Sequence, residues 1–222
     1  MRLDLHNHTR FSPDSRVDPA DLVRRARELG LDGIAVTDHN SMGGVGPAEQ
    51  AAAGVPGLLV IPAVEVSTAE GHVLAYGVSE PVPRDLSPAE TAERITAQGG
   101  VAVAAHPYRF WSGLGERETL SARFAAFEVL NARTLRGGNE RAGALAARTH
   151  VGGTGGSDSH FLEEVGRGFT VVDADGASVD DVLQSLARGR TSGAGSHRGA
   201  RATAIYVTKC VSEWIGRGMR RI

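Results

Sequence analysis

Side chains of the types that bind metal ions recur along this chain where short apolar runs end. In a barrel of parallel strands and helices such positions converge on one rim, so residues far apart in sequence can form one polynuclear metal site. The pattern therefore predicts a metallohydrolase. The residues concerned are His6, His8, Asp14, His39, Glu65, His72, His106, Asp158 and His160.

The spacing within two of these clusters is typical of a strand that directs two ligands to one face. His6 and His8 are two residues apart, and Asp158 and His160 repeat that interval. Because side chains alternate along a strand, the two members of each pair point in the same direction. Each pair can therefore face a common site.

Asp38 and His39 are adjacent in the segment TDHN and would point to opposite faces of an extended strand end. Only one of them is then expected to contact a metal ion. We predict that His39 is the ligand and that Asp38 orients ligating or catalytic groups from behind, as carboxylates commonly do around metal sites.

Each assignment has a simpler alternative. His72 and His106 stand alone in their segments and also fit hydrogen-bonded structural histidines. Glu65 lies in the apolar run VIPAVEVS and also fits a buried, salt-bridged carboxylate. Asp14 in FSPDS also fits a turn cap. The paired residues also fit polar strand ends that face solvent.

Composition argues against several other kinds of chemistry. The single cysteine, Cys210, allows neither a disulfide framework nor a cysteine-ligated zinc site and indicates a reducing compartment. The single lysine, Lys209, leaves Schiff-base catalysis and a Gly-Lys phosphate-binding loop almost no residue to use. The formal charge of −2 gives no overall attraction to nucleic acid or anionic membrane. Without a leader-like start or an apolar run of about 20 residues, we expect a soluble cytoplasmic protein with no membrane span.

Strand-like and helix-like segments alternate, which is typical of an α/β fold whose parallel sheet is covered on both faces. Six or seven successive strand ends contribute to one site, which a closed barrel permits more readily than an open sheet with a single crevice. We interpret the Gly-rich stretches Gly152–Gly156 and Thr191–Gly199 as site loops. The predicted strands are Arg2–Leu5, Gly33–Thr37, Leu58–Val66, Val73–Val78, Val101–Ala105, Phe127–Leu130 and Phe169–Val172, and the predicted helices are Pro19–Leu29, Pro47–Ala53, Pro88–Gln98, Asn139–Arg148 and Val179–Arg188.

Six motifs in order resemble the PHP family, named for polymerase and histidinol phosphatase: LHNHTRFSPDS, GIAVTDHN, AVEVS with GHVLAYG, AAHP, FEVLN and GGSDSH. The resemblance runs from about Arg2 to His160. It implies a single-domain, distorted seven-stranded (β/α) barrel, TIM-like, in a small stand-alone member. We expect residues 1–200 to form the barrel and residues 201–222 to add a C-terminal strand and an amphipathic helix.

The resemblance also implies a centre of two to three divalent ions, with Mn, Fe or Zn suited to the mixture of imidazole and carboxylate ligands. Some relatives have histidine in place of Asp14, and a carboxylate there should favour manganese or magnesium at the third position. Carried over residue by residue, the first ion would take His6, His8, Glu65 and Asp158, the second would share Glu65 and add His72 and His106, and the third would take Asp14, His39 and His160.

The charge of such a centre favours a phosphate substrate. Three divalent ions facing three carboxylates keep a net positive charge, which a phosphate ester would neutralise and a neutral amide would not. A metal-bridging hydroxide is the expected nucleophile. Glu65 would bridge two ions, and Asp38 or His39 would manage protons at the leaving group. The substrate is expected to be a phosphorylated small molecule, a nucleotide or a nucleic-acid end.

Three arginines near the predicted rim fit phosphate binding, because guanidinium can bind phosphate in a bidentate manner. They are Arg109, Arg133 and Arg198, and ordinary solvated surface is the alternative for each. The segment Cys210–Ile222 fits a basic amphipathic helix that packs on the barrel or binds a membrane or partner.

Two other classes of function stay open. The same hydroxide can attack a carbonyl, so an amide or carbamate hydrolase of the same fold is one alternative. A noncatalytic accessory metal-binding module is the other, since barrels of this family occur attached to polymerases. The complete ligand set and the lack of an adjoining polymerase region favour the phosphoesterase. The sequence does not predict the oligomeric state.

Overall fold

The described part of the chain alternates strands and helices around one curved sheet. The computed structural model describes residues 1–197 together with Thr208 and Val211. Arg198 and most of the predicted C-terminal segment lie outside the described residues, so the expectations for them stay predictions. The strands are β1 (Arg2–Asp4), β2 (Gly33–Val36), β3 (Leu59–Ser67), β4 (His72–Tyr76), β5 (Val101–Ala104), β6 (Ala126–Asn131), β7 (Gly152–Gly156), β8 (Gly168–Val172) and β9 (Thr191–Gly195). The α-helices are α1 (Pro19–Glu28), α2 (Val45–Ala52), α3 (Pro88–Ala97), α4 (Gly115–Ser121), α5 (Arg136–Thr149) and α6 (Val179–Ala187).

The helices begin where the sequence supplies capping groups. The Asp18 side chain accepts a hydrogen bond from the backbone N–H of Ala20, and Pro19 occupies the first turn of α1. Ser87 and Glu90 form a capping box at α3. These ends agree with the predicted starts of both helices. Sequence patterning missed α4.

The sheet closes into a barrel, as predicted. The strands follow the order β7-β6-β5-β4-β3-β2-β1-β8-β9. Beyond the ends of β1 and β7, His8 N donates to Ser159 O at 2.9 Å, and Asn7 pairs with Ser159 in parallel. Strands β1 to β7 therefore form a nearly closed ring. The predicted strand Phe169–Val172 corresponds to β8, and β7 and β9 are the two strands that the sequence did not predict.

The sheet is mixed, whereas the sequence predicted a parallel one. β4 runs antiparallel to both β3 and β5, and β8 runs antiparallel to both β1 and β9. Only residues 68–71 separate β3 from β4, and a parallel crossover needs a dozen residues or more. Because β4 is reversed, His72 at its start lies at the same rim as the carboxyl ends of β2 and β3.

The glycine stretches that we interpreted as site loops are the strands β7 and β9, which corrects that prediction for residues 152–156 and 191–195. A Cβ on Gly155 would lie 2.4 Å from Phe169 O, and one on Gly193 would lie 2.5 Å from Thr154 O. At these positions the edge strands β7 and β9 lie so close to the backbone of a neighbouring strand that a side chain would not fit. Glycine is present here because barrel closure brings strands into backbone contact.

The barrel interior is apolar, and α6 covers the end opposite the carboxyl ends of the parallel strands. Leu3, Leu74 and Tyr76 are fully buried in one cluster with Val182 and Leu186 of α6. The Tyr76 hydroxyl donates to Leu5 O at 2.8 Å, which ties β4 to β1 across the barrel. The polar cluster described below therefore has a packed apolar floor. Across residues 1–197, 208 and 211, no helix combines the length and apolar character needed to cross a membrane.

Candidate metal centre

All nine predicted ligand residues lie together at one rim of the barrel. Their ligand atoms form four overlapping groups, and the atoms of each group lie within 4.8 Å of one another. His6, His8, His39 and Glu65 each belong to two groups, so the groups form one continuous cluster that could hold more than one ion. The groups are His8, Asp14, His39 and His160; His6, His8 and Asp158; His6, Glu65 and His106; and His39, Glu65 and His72.

Glu65 lies at the centre of the cluster, where five imidazoles from four segments of the chain approach its two oxygens. This position fits a carboxylate that bridges two ions. Oε1 lies 2.8 Å from His72 Nδ1 and 3.0 Å from His106 Nε2, and Oε2 lies 3.2 Å from His39 Nδ1 and 3.3 Å from the Nε2 atoms of His6 and His8.

Asp14 faces imidazoles on the far side of the cluster. Its Oδ2 lies 2.7 Å from His160 Nε2 and 3.5 Å from His39 Nε2. The Ser12 hydroxyl donates to Asp14 Oδ1 at 2.9 Å and accepts from the backbone N–H of His39 at 3.2 Å. The Ser12 side chain therefore links the Asp14 carboxylate to the backbone of His39. Sequence patterning did not predict this link.

Two of the clustered residues adopt a left-handed backbone conformation that L side chains rarely take. His106 has φ 27° and Asp158 has φ 52°. Such conformations persist where surrounding structure imposes them, and they concentrate at functional sites. Both side chains face the cluster, since His106 Nε2 lies 3.0 Å from Glu65 Oε1 and Asp158 Oδ1 lies 3.5 Å from His8 Nε2.

The buried histidine nitrogens supply the test of whether metal ions fit here. His6 Nε2, His8 Nε2 and His39 Nδ1 are buried and have no hydrogen-bond partner in the described structure, although each lies close to Glu65 Oε2. Buried polar atoms without partners are costly. A divalent ion would satisfy these nitrogens and offset the buried carboxylates, so the residues present fit the predicted centre.

Burial and the neighbouring charges shift the pKa values of three clustered histidines. Burial lowers the pKa of His8, but the nearby carboxylates of Asp158 and Glu65 outweigh burial and raise the pKa to about 9. Burial lowers the pKa of His72 to about 4 and that of His160 to about 3. His72 and His160 are therefore neutral and ready to coordinate at neutral pH, whereas His8 must first lose a proton.

We expect the affinity for the ion bound by His8 to rise with pH. A group whose pKa is raised to about 9 holds its proton at lower pH, and the metal must displace that proton. The apparent affinity should therefore rise about tenfold between pH 7 and pH 8. Isothermal titration calorimetry with manganese in two buffers of different ionisation enthalpy would report the affinity and the protons released. An affinity independent of pH over this range would contradict the assignment.

Glu128 contacts two of the predicted ligands, His6 and His106, and sequence patterning did not identify it. Its Oε1 lies 2.9 Å from His6 Nδ1, and its Oε2 accepts from the backbone N–H of His106 at 2.8 Å and from Asn131 Nδ2 at 3.1 Å. Asn131 Nδ2 also lies 3.1 Å from Asp158 Oδ2. The signal was present in the segment FEVLN, because an acidic residue inside an apolar strand needs a buried partner.

Replacing Glu128 with Gln should lower metal affinity about tenfold to a hundredfold, as expected when the carboxylate behind a ligating histidine is lost. Both oxygens of Glu128 accept hydrogen bonds, Oε1 facing His6 Nδ1 and Oε2 facing the His106 N–H and Asn131. Glutamine carries no charge and has one acceptor oxygen, and its amide nitrogen only donates, so it cannot keep both sets of contacts. Elemental analysis after dialysis against a weak chelator would measure the loss. Glu140→Gln, on the exposed surface of α5, is the matched control and should behave as the wild type. Unchanged metal retention in Glu128→Gln would refute the role.

Asp38 lies behind the ligands rather than among them. Its Oδ1 accepts from the Thr9 backbone N–H and its Oδ2 from the Thr9 hydroxyl, both at 2.6 Å. Burial raises its pKa, partly offset by these hydrogen bonds. The structure thus places Asp38 where it holds the loop between His8 and Asp14.

Two of the three predicted arginines lie beside Asp158. Arg109 pairs with Asp158 Oδ2, and Arg133 Nη1 donates to the Asp158 carbonyl at 3.2 Å. Arg109 is 15% exposed at its side chain, whereas Arg133 is 5% exposed. Arg109 therefore reaches the surface of the site, and Arg133 lies beneath it.

The fold is thus a barrel whose rim carries a cluster of histidines and carboxylates that could hold metal ions. The chain belongs to the PHP family. The PHP domain profile matches residues 4–149, and the profile of the PHP-associated region matches residues 136–191. The resemblance predicted from the motifs is confirmed.

Individual relatives agree with this assignment. An uncharacterised protein of Methanocaldococcus jannaschii is 36% identical over 128 residues, which span 53% of this chain and 74% of that protein. The 5'-3' exoribonuclease Rnm of Salmonella typhimurium is 35% identical over 103 residues, spanning 43% of this chain and 34% of the nuclease. A two-domain protein of Bacteroides vulgatus that contains a predicted PHP-like metal-dependent phosphoesterase superimposes with a TM-score of 0.74 at 22% identity, covering 88% of this chain and 65% of that one. The chain thus spans less than two thirds of both the nuclease and the solved structure.

Proposed function

We propose that this protein hydrolyses phosphate esters with the help of divalent metal ions, and that its substrates are nucleotides or nucleic-acid ends. The observation that carries the proposal is the arrangement of five imidazoles around Glu65, with Asp158 and Asp14 on its flanks. Membership of the PHP family supports hydrolysis of this class. The similarity to an exoribonuclease supports nucleic-acid ends among the possible substrates.

The solvent-facing side of the cluster is the proposed binding position for the phosphate. His72, Arg109 and Asp14 are 16%, 15% and 12% exposed at their side chains, whereas the other predicted ligands are nearly inaccessible. Arg109 carries a guanidinium that suits phosphate oxygens. We propose that Arg109 contacts the substrate and that Arg133 holds the backbone of Asp158.

The proposed ligands are the nine residues of the four groups, with Glu65 shared between ions. Bound ions would activate water for attack on phosphorus and stabilise the charge that develops there. His39 lies at the junction of two groups, next to Asp14 and Glu65, and is the proposed proton carrier. Asp38 serves the reaction indirectly, by fixing the loop that carries His8 and Asp14.

The test is a phosphate-release screen with protein reconstituted separately with manganese, iron and zinc. The panel contains sugar phosphates, mononucleotides and short oligonucleotides with phosphorylated ends. Glu65→Gln purified in parallel controls for contaminating phosphatase. We expect phosphate or nucleotide release by the wild type only. Ammonia or amine release from amides, without phosphate release, would assign the protein to C–N hydrolysis. Metal binding with neither activity would assign it to a noncatalytic role.

A further inference from the structure

Exposed aromatic side chains lie on three of the loops that carry the predicted metal ligands. Among the described residues, the four exposed aromatic side chains, Phe11 and Phe161 at 39%, Trp111 at 68% and Phe110 at 86%, all lie on loops that also carry a predicted ligand. Phe11 lies between His8 and Asp14, Phe161 follows His160, and Phe110 and Trp111 follow His106. Single exposed apolar residues are common on protein surfaces and need no explanation. The restriction of the exposed aromatic residues to this rim, however, points to a function of the rim.

Phe110 and Trp111 are the most exposed of these residues, at 86% and 68%. Their ring centroids lie 4.7 Å apart with planes at 86°, so the pair supports itself edge to face. Neither ring contributes to a buried cluster. Burying even one of them would be favourable, and the protein instead presents both to solvent.

The loop beneath the pair is held by backbone contacts. Arg109 N donates to His106 O at 2.9 Å, Gly113 N to Arg109 O at 3.0 Å, and Gly115 N to Pro107 O at 2.8 Å. A Cβ on Gly113 would lie 2.6 Å from both the Arg109 and Pro107 carbonyl oxygens. The loop is therefore tightly folded, and it presents the two rings without a large cost in ordering on binding.

The same loop borders the open side of the metal centre. It packs on Gly71, whose Cβ position would lie 2.9 Å from Ser112 O and from Leu114 N. Gly71 directly precedes His72, and Arg109 directly precedes Phe110 and pairs with Asp158. The loop that carries the two rings therefore also carries Arg109 and packs against the residue before His72, and these two side chains are the most exposed of the cluster.

We propose that Phe110 and Trp111 form a stacking platform for the nucleobase next to the phosphate that the metal centre binds. This inference rests on the proposed function, because it assumes that the cluster binds a phosphate and assigns a binding position to the nucleobase next to it. A ligand with a flat aromatic group joined to a phosphate by a sugar fits an exposed ring pair beside an arginine and a polynuclear metal site. Stacking uses the face that every base possesses, so the platform would select single-stranded nucleic acid over simple phosphate esters without reading sequence.

The test compares a base-bearing ligand with a matched ligand that lacks bases. Manganese-loaded protein is titrated with short oligonucleotides that carry a 5'-phosphate, phosphorothioate linkages that slow hydrolysis and a 3'-fluorescein, and binding is followed by anisotropy. RNA and DNA versions are used, and each is paired with an abasic chain of equal length and charge. Hydrolysis of glycerol phosphate is measured alongside as a reaction that needs no base. The variant is the double substitution Phe110→Ala and Trp111→Ala, and the control is Leu120→Ala, a 49% exposed residue on α4.

We expect the wild type to prefer the base-bearing chain by about tenfold or more. The double variant should lose that preference, bind the abasic chain as the wild type does and hydrolyse glycerol phosphate at an unchanged rate. Trp111→Phe alone should keep most of the preference, because it keeps a stacking face.

Each of the remaining outcomes would refute either the stacking platform or the proposed hydrolysis of phosphate esters. Equal affinity of the wild type and the double variant for the base-bearing chain refutes the platform and leaves the phosphoesterase intact. A loss of affinity for the abasic chain as well refutes base stacking in favour of a general effect on the site. Sedimentation velocity that shows self-association in the wild type alone would assign the rings to a contact between copies and would likewise refute the platform. Base-dependent binding without hydrolysis of any phosphate ester would refute the proposed reaction and support the platform.

Discussion

Glu65→Gln will lose metal and turnover together. Five imidazoles face the two oxygens of Glu65, which is almost completely buried. The surrounding histidines, His72 and His39 foremost, outweigh the burial that raises its pKa and hold the pKa well below the usual range, so the group is a carboxylate. The amide has the same shape but no charge, and it cannot bridge two cations. We expect turnover to fall by on the order of a thousandfold or more.

His72→Ala is the matched comparison for Glu65→Gln. His72 belongs to one ligand group, with His39 and Glu65, whereas Glu65 belongs to two. The loss of His72 should therefore weaken one ion and leave the others in place, with a smaller fall in turnover than in Glu65→Gln. Metal per chain by elemental analysis and phosphate release are measured on both variants, and circular dichroism checks the fold. Equal metal content and equal residual activity would contradict the bridging role.

Asp14→Ala is expected to keep most bound metal and lose most activity. Asp14 lies in the group with His8, His39 and His160 and outside the three other groups. The burial of Asp14 is outweighed by His160 and His39, which hold its pKa far below the usual range, so it contributes a full negative charge to that one group. Removing it should release one ion and lower turnover by orders of magnitude, because the charge beside the phosphate is lost. Millimolar manganese should restore part of the activity.

Asp14→Asn separates a ligand from a turn cap. Asparagine retains a side-chain acceptor for the Ser12 hydroxyl, which now donates to Asp14 Oδ1, and asparagine suits turns as well as aspartate does. It lacks the charge that a third ion needs. If Asp14 only capped a turn, Asp14→Asn would match the wild type in turnover and metal content. We expect it to resemble Asp14→Ala in activity while retaining wild-type thermal stability.

Much of the site could be predicted because ligand chemistry leaves local marks in a sequence. The two-residue interval of His6 and His8 follows from the alternation of side chains along a strand. Isolated polar residues at the ends of apolar runs, such as His106 after VAVAA, also need no tertiary information to be recognised. The helix starts at Asp18 and Ser87 were likewise predictable, since capping depends on residues adjacent in the chain.

Strand direction and barrel closure depend on contacts that are distant in sequence. A fully buried strand shows the same apolar run whichever way it points, so the reversal of β4 was visible only in the short connection before His72. The glycines at Gly155 and Gly193 were misassigned because the reason for them is a backbone on another strand. Nothing local distinguishes a glycine that allows such contact from one in a loop.

The sequence by itself determined which residues can bind metal and that they follow strands of an α/β barrel. Only the tertiary structure decided how they are shared: that Glu65 lies at the centre, that Glu128 stands behind His6 and His106, and that Asp38 holds Thr9. The physical reason is that ligand identity is a property of single side chains. Whether a carboxylate can bridge two ions or support a ligating histidine depends instead on distances between residues of different strands. Those distances are set when the barrel closes, and they decide which partners a buried carboxylate can contact.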